Sequence, residues 1–554
     1  MQHMKNIKYC LFILLLSVPF TKIKAEETIS FGNNNDMFDD PQVNLFLDEH
    51  QGQTIIFRQT SAEHAQEIID VLLGLGAIDI LQEDLICRTN PLNKRNILDY
   101  PIFLPQKLEY AFNWTLGTHF FYNQTSRTFF SQFCDNISST FAFKSQSLIE
   151  KITNSIPTIR EIFANFTVDP ISVLSLFENG TAQERRLGFI FHGQRQFRCA
   201  NFRFLLPIIY LERNFYFTDE ERNKLETQLG ALNPDQQEKF QKQHLISDRI
   251  GIGDTRLELD FSVQECDEWS LRTGAYATLP TAVAFAKGFV GSGFDKCCPR
   301  PIFNFEDLFA CIPAGDPSPE QLNNARDCTT NLLRCFFLQA LDTFSANVLE
   351  TNLGYEGHFG LGGLVRTRHN LDMVIHRPWA SHITWLNNIT LEYLFLADEK
   401  RFFIERPNKE EFSSRDFTDP SQSISNLAFL DEQVVNRIIP FCLTTTVYPG
   451  FVFEWVSKFQ FEFERWGFNY GTDFWLQGKE KLCNIRAPER ILKNLDVNAA
   501  LLPMAIQGKL FATALYKIER ETRDWVLSFN GDYTFASTGI GKDFTLAFNL
   551  ETNF

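Results

Sequence analysis

The sequence predicts a mainly β protein: a closed antiparallel transmembrane β-barrel of about twelve strands, within roughly 10 to 14, with helical insertions in its loops. Three observations predict it. Long segments alternate large apolar residues with small or polar ones, and the links between them alternate short and long. The chain also opens with an export signal, yet has no apolar run long enough to cross a bilayer as a helix.

From Leu108 the pattern has a period of two. Leu108, Tyr110, Phe112, Trp114 and Leu116 are apolar, while Glu109, Ala111, Asn113, Thr115 and Gly117 between them are not large and apolar. Strict alternation marks a strand with one apolar and one polar face. The signature returns at Trp525, Leu527, Phe529, Tyr533 and Phe535, and again at Phe544, Leu546, Phe548, Leu550 and Phe554. Weaker versions at 187–197, 202–211, 252–263, 269–279, 354–366, 382–395, 447–461, 466–477 and 506–518 bring the expected count to twelve. Several run 11 to 15 residues. Soluble strands average about 5 to 6, and a tilted membrane-spanning strand needs about 9 to 11. Length favours the membrane.

The links are an independent test. Short ones at 198–201, 264–268, 462–465 and 519–523 and a moderate one at 367–381 alternate with long ones at 212–251, 280–353, 396–446 and 478–505. The last, 536–541, is short. An up-and-down bacterial barrel has short periplasmic turns and longer external loops. An even strand number puts both chain ends in the periplasm. Lipid offers no hydrogen-bond partner, so β-structure there must close on itself. The large rings then face lipid and the small polar residues line the lumen.

Lys5 and Lys8, the apolar run Tyr9–Phe20 and the small residue Ala25 make a cleavable secretory signal over 1–25. Residues 26–106 read as a small N-terminal periplasmic or plug segment, with a short helix at Ser61–Leu75. Residues 107–554 read as the barrel, with helical insertions at about 123–186, 212–250, 280–353 and 396–446. Net charge is −16, and removal of Lys5, Lys8, Lys22 and Lys24 takes it to −20. Nothing resembles a basic stripe, which argues against nucleic acid as a partner. Phenylalanine occurs 57 times in 554 residues, far more large rings than a hydrophilic secreted chain needs.

A soluble all-β glycoprotein is the competing reading. Asn-x-Ser/Thr sequons occur at Asn113, Asn123, Asn136, Asn165, Asn179 and Asn388. Asn113 and Asn388, however, fall inside strong strand patterns, where a glycan is awkward.

The last eleven residues, FTLAFNLETNF, end an amphipathic strand on Phe554. They resemble the C-terminal assembly signal of Gram-negative outer-membrane proteins, carried here by Phe544, Leu546, Phe548, Leu550 and Phe554. The resemblance implies recognition by the outer-membrane assembly machinery, with the lipid bilayer as the other partner. DRIGIGDTRLEL (Asp248–Leu259) resembles the glycine-rich strand opening of fatty-acid- and aromatic-compound-transport-type outer-membrane proteins, beside a general porin-like character. Gly251 and Gly253 equally suit a bulge or tight strand entry. Many cysteines and long helical insertions depart from ordinary porins.

The 280–353 insertion carries Cys297, Cys298, Cys311, Cys328 and Cys335. Their spacing lacks the paired ligands of a zinc site, and structural disulfides are the expectation. Other insertion helices are expected at Ser145–Ala164, where Pro157 interrupts, at Thr218–Leu229 behind the capping pair Thr218 and Glu221, and at Ser425–Ile439. His192, His358, His369, His376 and His382 occur with no recognisable nucleophile motif, so no catalytic residue, metal or cofactor is expected. Arg256, Glu258, Asp260 and Arg272 fall on the lumen face of neighbouring strands. They are the candidate pore-lining groups, against the plainer reading that opposite charges brace the wall. The functional expectation is a channel or transporter for small solutes, open or plugged. The alternative is a structural or surface-interaction barrel with a filled lumen.

Overall fold

The computed structural model describes residues 95–103, 114–126, 128–129, 181–197, 199–216, 245–266, 268–287, 351–373, 382–406, 409–438, 441–498, 500–519 and 524–553, with a few isolated positions besides. The chain divides into two compact units, Met1–Glu67 with Thr418–Ile424, and Ile68–Phe417 with Ser425–Phe554. The second contains the barrel.

Its strands are β1 (Trp114–Thr125), β2 (Thr128–Phe129), β3 (Thr181–Gln196), β4 (Ala200–Tyr216), β5 (Ile246–Ile252) and β6 (Thr255–Glu265). There follow β7 (Trp269–Leu279), β8 (Val283–Lys287), β9 (Gly360–Asn370), β10 (Ile383–Leu394), β11 (Ala397–Phe403) and β12 (Phe441–Tyr448). The last are β13 (Phe451–Glu462), β14 (Trp466–Gln477), β15 (Lys481–Ile485), β16 (Ala505–Ile518), β17 (Trp525–Thr538) and β18 (Asp543–Asn553). Antiparallel pairing runs β1-β3-β4-β6-β7-β9-β10-β13-β14-β16-β17-β18 and returns to β1 through Thr118↔Leu550 and its neighbours. Twelve strands therefore close a ring with no free edge, which is what a β-structure in hydrocarbon requires.

The polarity is that of an outer-membrane barrel. Phe120, Leu187, Leu391, Trp455, Phe529 and Phe548 are exposed on the outer face, between 44% and 58%. Their strand neighbours of opposite parity, among them Asn123, Glu392, Glu454 and Asn530, point inward and are buried. Aromatic rings gather at both rims, as they do where a membrane barrel meets its two interfaces. At the short-turn rim Trp269 stacks on His369, His369 meets Trp385, and Trp385 stacks on Phe459, which stacks on Tyr470. Toward the other rim Tyr393 packs edge-on against Phe395 and Tyr448.

The links obey the expected rhythm. Short turns follow β3, β6, β13 and β16 at one rim, and the long links leave β1, β4, β7, β10 and β14 at the other. Two expected strands, 269–279 and 466–477, match β7 and β14 to the residue. The first, expected at 108–117, runs past its expected end to Thr125 as Trp114–Thr125, residues 108–113 lying outside the described residues. Strand structure also reaches into all four expected insertions. β4 continues to Tyr216, β5 and β8 extend the wall past the ring, and β11, β12 and β15 form a separate three-stranded sheet from the links after β10 and β14. The expected helix Ser425–Ile439 is present as Ser423–Ile438. Those at Ser145–Ala164 and Thr218–Leu229 lie outside the described residues, as does Ser61–Leu75 apart from the helical Gln66 and Ile69.

The Gly251–Gly253 segment both bulges and breaks the strand. β4 pairs with β6 along Ala200–Leu205 and with β5 along Ile208–Asn214, the break falling at Gly253–Asp254. The β5–β8 register shifts between Ile250 and Gly251. A side chain at 253 would meet the Leu353 carbonyl at 2.8 Å, so glycine is needed for the close approach. Two sequons also resolve. Asn123 and Asn388 face inward and are buried, hydrogen-bonded to Asp543 and Arg366, where no glycan fits.

Candidate functional site: the barrel lumen and the segment inside it

Residues Arg95–Phe103 occupy the lumen. Asn96 caps a short 3-10 turn, Ile97–Asp99, its side chain accepting from Leu98 N, and a second turn follows at Pro101–Phe103. Every residue from Arg95 to Phe103 is buried. The segment is hydrogen-bonded to seven strands of the ring: β3, β4, β6, β13, β14, β16 and β18. Only a segment inside the ring can reach so many strands.

Arg95 is the principal anchor. Its guanidinium donates to Asp473 at 2.6 Å, Glu454 at 2.9 Å and Gln507 at 3.1 Å, and to the Asp99 carbonyl. It also lies over the rings of Tyr100 and Trp475. A planar five-donor fork suits such a divided set of acceptors better than an ammonium would. Tyr100 donates to Asp543 at 2.5 Å, and Lys509, itself paired with Asp532 and Asp543, sits 3.9 Å over the same ring. Asp99 accepts from Arg256 and from Tyr355, and the carbonyls of Arg95 and Phe103 accept from Arg186 and Arg203.

Beside these polar anchors the segment also makes apolar contacts with the wall. Ile97, Leu98, Ile102 and Phe103 pack with the inward-facing Phe121, Ile190, Leu205, Val456, Phe511 and Ala547. The segment is thus held both by charged bonds and by apolar packing.

The expected pore-lining residues all face this interior, each at most 5% exposed. Arg256 binds the inner segment through Asp99 and the Leu98 carbonyl. Glu258, Asp260 and Arg272 join a wall network centred on Arg366, whose guanidinium reaches Glu258 and Asp260 at 2.7 Å each. Arg272 meets Asp260 at 2.6 Å, and Arg203 lies 3.6 Å from Glu258. Sequence reasoning missed Arg95, Glu454, Asp473, Lys509, Asp532 and Asp543. The five on strands were within reach of the parity rule, since each lies at an inward position.

Of the assembly-signal residues, Phe544, Leu546, Phe548 and Leu550 lie on β18, with Leu546 and Phe548 each 44% exposed on the outer face. Phe554 lies outside the described residues. So do Cys297, Cys298, Cys311 and Cys335, while Cys328 is a described helical position. His369 stacks in the rim girdle, His382 is exposed, and His376 lies outside the described residues. His358 is tied to Glu399 beyond the ring, and His192 is buried in the lumen.

No family model matches the chain, and no curated protein matches it. Among solved structures it is similar to an outer-membrane channel from Pseudomonas putida F1, at 8% identity and TM-score 0.37, covering 81% of this chain and 99% of that one. The toluene transporter TbuX of Ralstonia pickettii matches at 7% identity and TM-score 0.28, over 80% of this chain and 90% of that one. The Pseudomonas putida toluene transporter TodX matches at 8% identity and TM-score 0.27, over 82% and 90%. These likenesses carry no residue correspondence, and the closed ring stands on the strand pairing itself.

Proposed function

We propose that the chain is an outer-membrane channel or transporter for small solutes, shut in this state by Arg95–Phe103. The observation that carries this reading is how the segment is held. Its main anchors are charged side chains and backbone carbonyls bound to the wall. Such bonds exchange readily for bonds to water or a polar solute, since their net worth over hydration is about 0.5–3 kcal/mol each. Arg256, Glu258, Asp260 and Arg272 are then pore-lining groups that select solutes by charge once the segment withdraws.

Export by a signal cleaved after Ala25, insertion through the outer-membrane assembly machinery and disulfide stapling of the 280–353 insertion belong to the same proposal. No enzymatic role is part of it. The decisive experiment is single-channel recording from the full chain in planar bilayers, beside a variant lacking residues 95–103. Small or rare currents from the full chain and steady currents from the deletion support the channel. Silence from both favours the second reading, a filled structural barrel. The Arg366 network, which joins three inward strands without help from the inner segment, supports that alternative.

A further inference from the structure

Three lumen side chains take no part in holding the inner segment's polar groups: His119 on β1, His192 on β3 and Glu551 on β18. These are the adjacent strands at which the first and last strands of the ring meet. In the register Gly117 stands opposite both His192 and Glu551, and His119 follows two residues on, on the same face. A Cβ at 117 would come within 2.8 Å of Glu551 Cγ and closer still to the His192 ring. The glycine leaves free the space on which the three groups converge.

One ligand-type atom from each residue lies within 4.8 Å of the other two. His192 Nε2 and Glu551 Oε1 are 3.3 Å apart. Two ligands of a tetrahedral zinc stand roughly 3.4 Å apart when the bonds are about 2.1 Å. The His119 and His192 rings lie 4.6 Å apart between centroids. Neither nitrogen of His119 has a hydrogen-bond partner, nor has Nδ1 of His192, although the two residues are only 1% and 5% exposed. Buried ring nitrogens without partners are rare because their lost hydration goes uncompensated. An ion would compensate it, since neutral imidazole is a metal ligand and the carboxylate supplies opposing charge. The nearby Arg203 is held by Glu258 and the Phe103 carbonyl.

We propose that His119, His192 and Glu551 form a site for one divalent transition-metal ion of borderline softness, which braces the barrel where it closes. Two imidazoles and a carboxylate suit zinc and its first-row neighbours better than magnesium or calcium. Three protein ligands leave a fourth position for water or a lumen solute. The ligands lie on strands far apart in sequence, so no short-spaced motif announces them.

The test uses the metal-stripped full-length chain refolded in detergent, titrated with zinc chloride and assayed for bound metal after desalting. One zinc per chain is expected, together with a higher temperature for conversion of the compact gel band to the unfolded one. His119→Ala, His192→Ala and Glu551→Gln should each weaken binding at least about tenfold, the loss seen when even an outer partner of a ligand is removed. His369→Ala, on the outer face, should bind as the parent does. A folded parent that takes up no zinc overturns the proposal, as does uptake undiminished in the ligand variants. Where those variants do not fold, X-ray absorption on the zinc-loaded parent decides: nitrogen and oxygen neighbours support the site, and a sulfur neighbour overturns it.

Discussion

Arg95 and Asp473 meet at 2.6 Å with both side chains fully buried, although 378 residues separate them in the chain. Glu454 stands on the other side of the same guanidinium at 2.9 Å. Arg95→Ala removes the cation and leaves two carboxylates facing each other in the lumen. Breaking a buried pair from one side costs about 3–5 kcal/mol, and here that cost falls on the docking of the inner segment. We expect larger or more frequent single-channel currents and faster proteolysis within residues 90–110. A folded Arg95→Ala chain with the parent's conductance and protease resistance would remove Arg95 from the role of anchor.

Lys509 tests the wall where it meets the segment, since its ammonium lies over the Tyr100 ring. Its ammonium bridges Asp532 at 2.9 Å and Asp543 at 2.8 Å, all three side chains buried. Lys509→Met should lower stability by about 3–5 kcal/mol, because it strands two like charges together. Adding Asp532→Asn should recover part of the loss, since one stranded charge is then gone. Urea midpoints followed by tryptophan fluorescence measure both. Additive losses would mean that the bridge is not a unit.

The ring was legible in the sequence because lipid imposes a rule that each strand obeys locally. Where the rule is relaxed, the sequence misleads. The alternation read from Leu108 stops at Gly117, because the next outward residue, Thr118, is not large and apolar and Phe120 and Phe121 are adjacent, yet β1 continues to Thr125. Phe120 faces out, while Phe121 turns inward to pack edge-on against Phe103 of the inner segment. The same ring contact that fills the lumen therefore hid the end of the strand. The inner segment was only foreshadowed as a plug, since NKRNILDYPIF has no period and its partners lie hundreds of residues away. The Arg256–Arg272 quartet was legible from parity. The residue that organises three of those four into a network with the wall, Arg366, was passed over although its parity is the same.

Charge placed on the outer face measures where hydrocarbon lies. Leu510 is 51% exposed near the middle of β16, and Trp466 is 62% exposed at the short-turn rim. An outer-membrane barrel loses about 2–4 kcal/mol to Arg at the bilayer midplane and about 0–1 near an interface. Leu510→Arg should therefore destabilise folding into lipid vesicles by the larger amount and Trp466→Arg by the smaller one attributable to charge. In water both positions are exposed. Equal, small effects for the two substitutions in vesicles would contradict a lipid-facing surface at Leu510.

Beyond the ring, a pH-sensitive tie joins three of the long links. His358 bonds to the Phe395 carbonyl through Nδ1 at 2.6 Å and to Glu399 through Nε2. Arg401 meets Glu399 at 2.5 Å and Glu480 at 3.2 Å, and Glu480 accepts from Leu502 N. The turn that presents His358 runs through left-handed backbone at Glu356 (φ 53) and Gly357 (φ 92), so it relies on such contacts to persist. Burial pushes the Glu399 carboxyl up to about 8, with Arg401 opposing and Glu356 adding. Burial works against a charged His358, but its bond to Glu399 and the charge there outweigh it and raise the imidazole above its ordinary 6.5. Both groups hold protons more tightly here than when released, so the tie is strongest at low pH. Its contribution falls as pH rises from the ordinary carboxylate range through about 8. Hydrogen exchange of residues 351–359, corrected for intrinsic rate, should be faster at pH 9 than at pH 6. Glu399→Gln, which mimics the protonated carboxyl, should flatten most of that difference, and His358→Gln should loosen the turn chiefly at the lower pH. Equal protection of the parent's turn at both pH values would leave the tie without a titrating part.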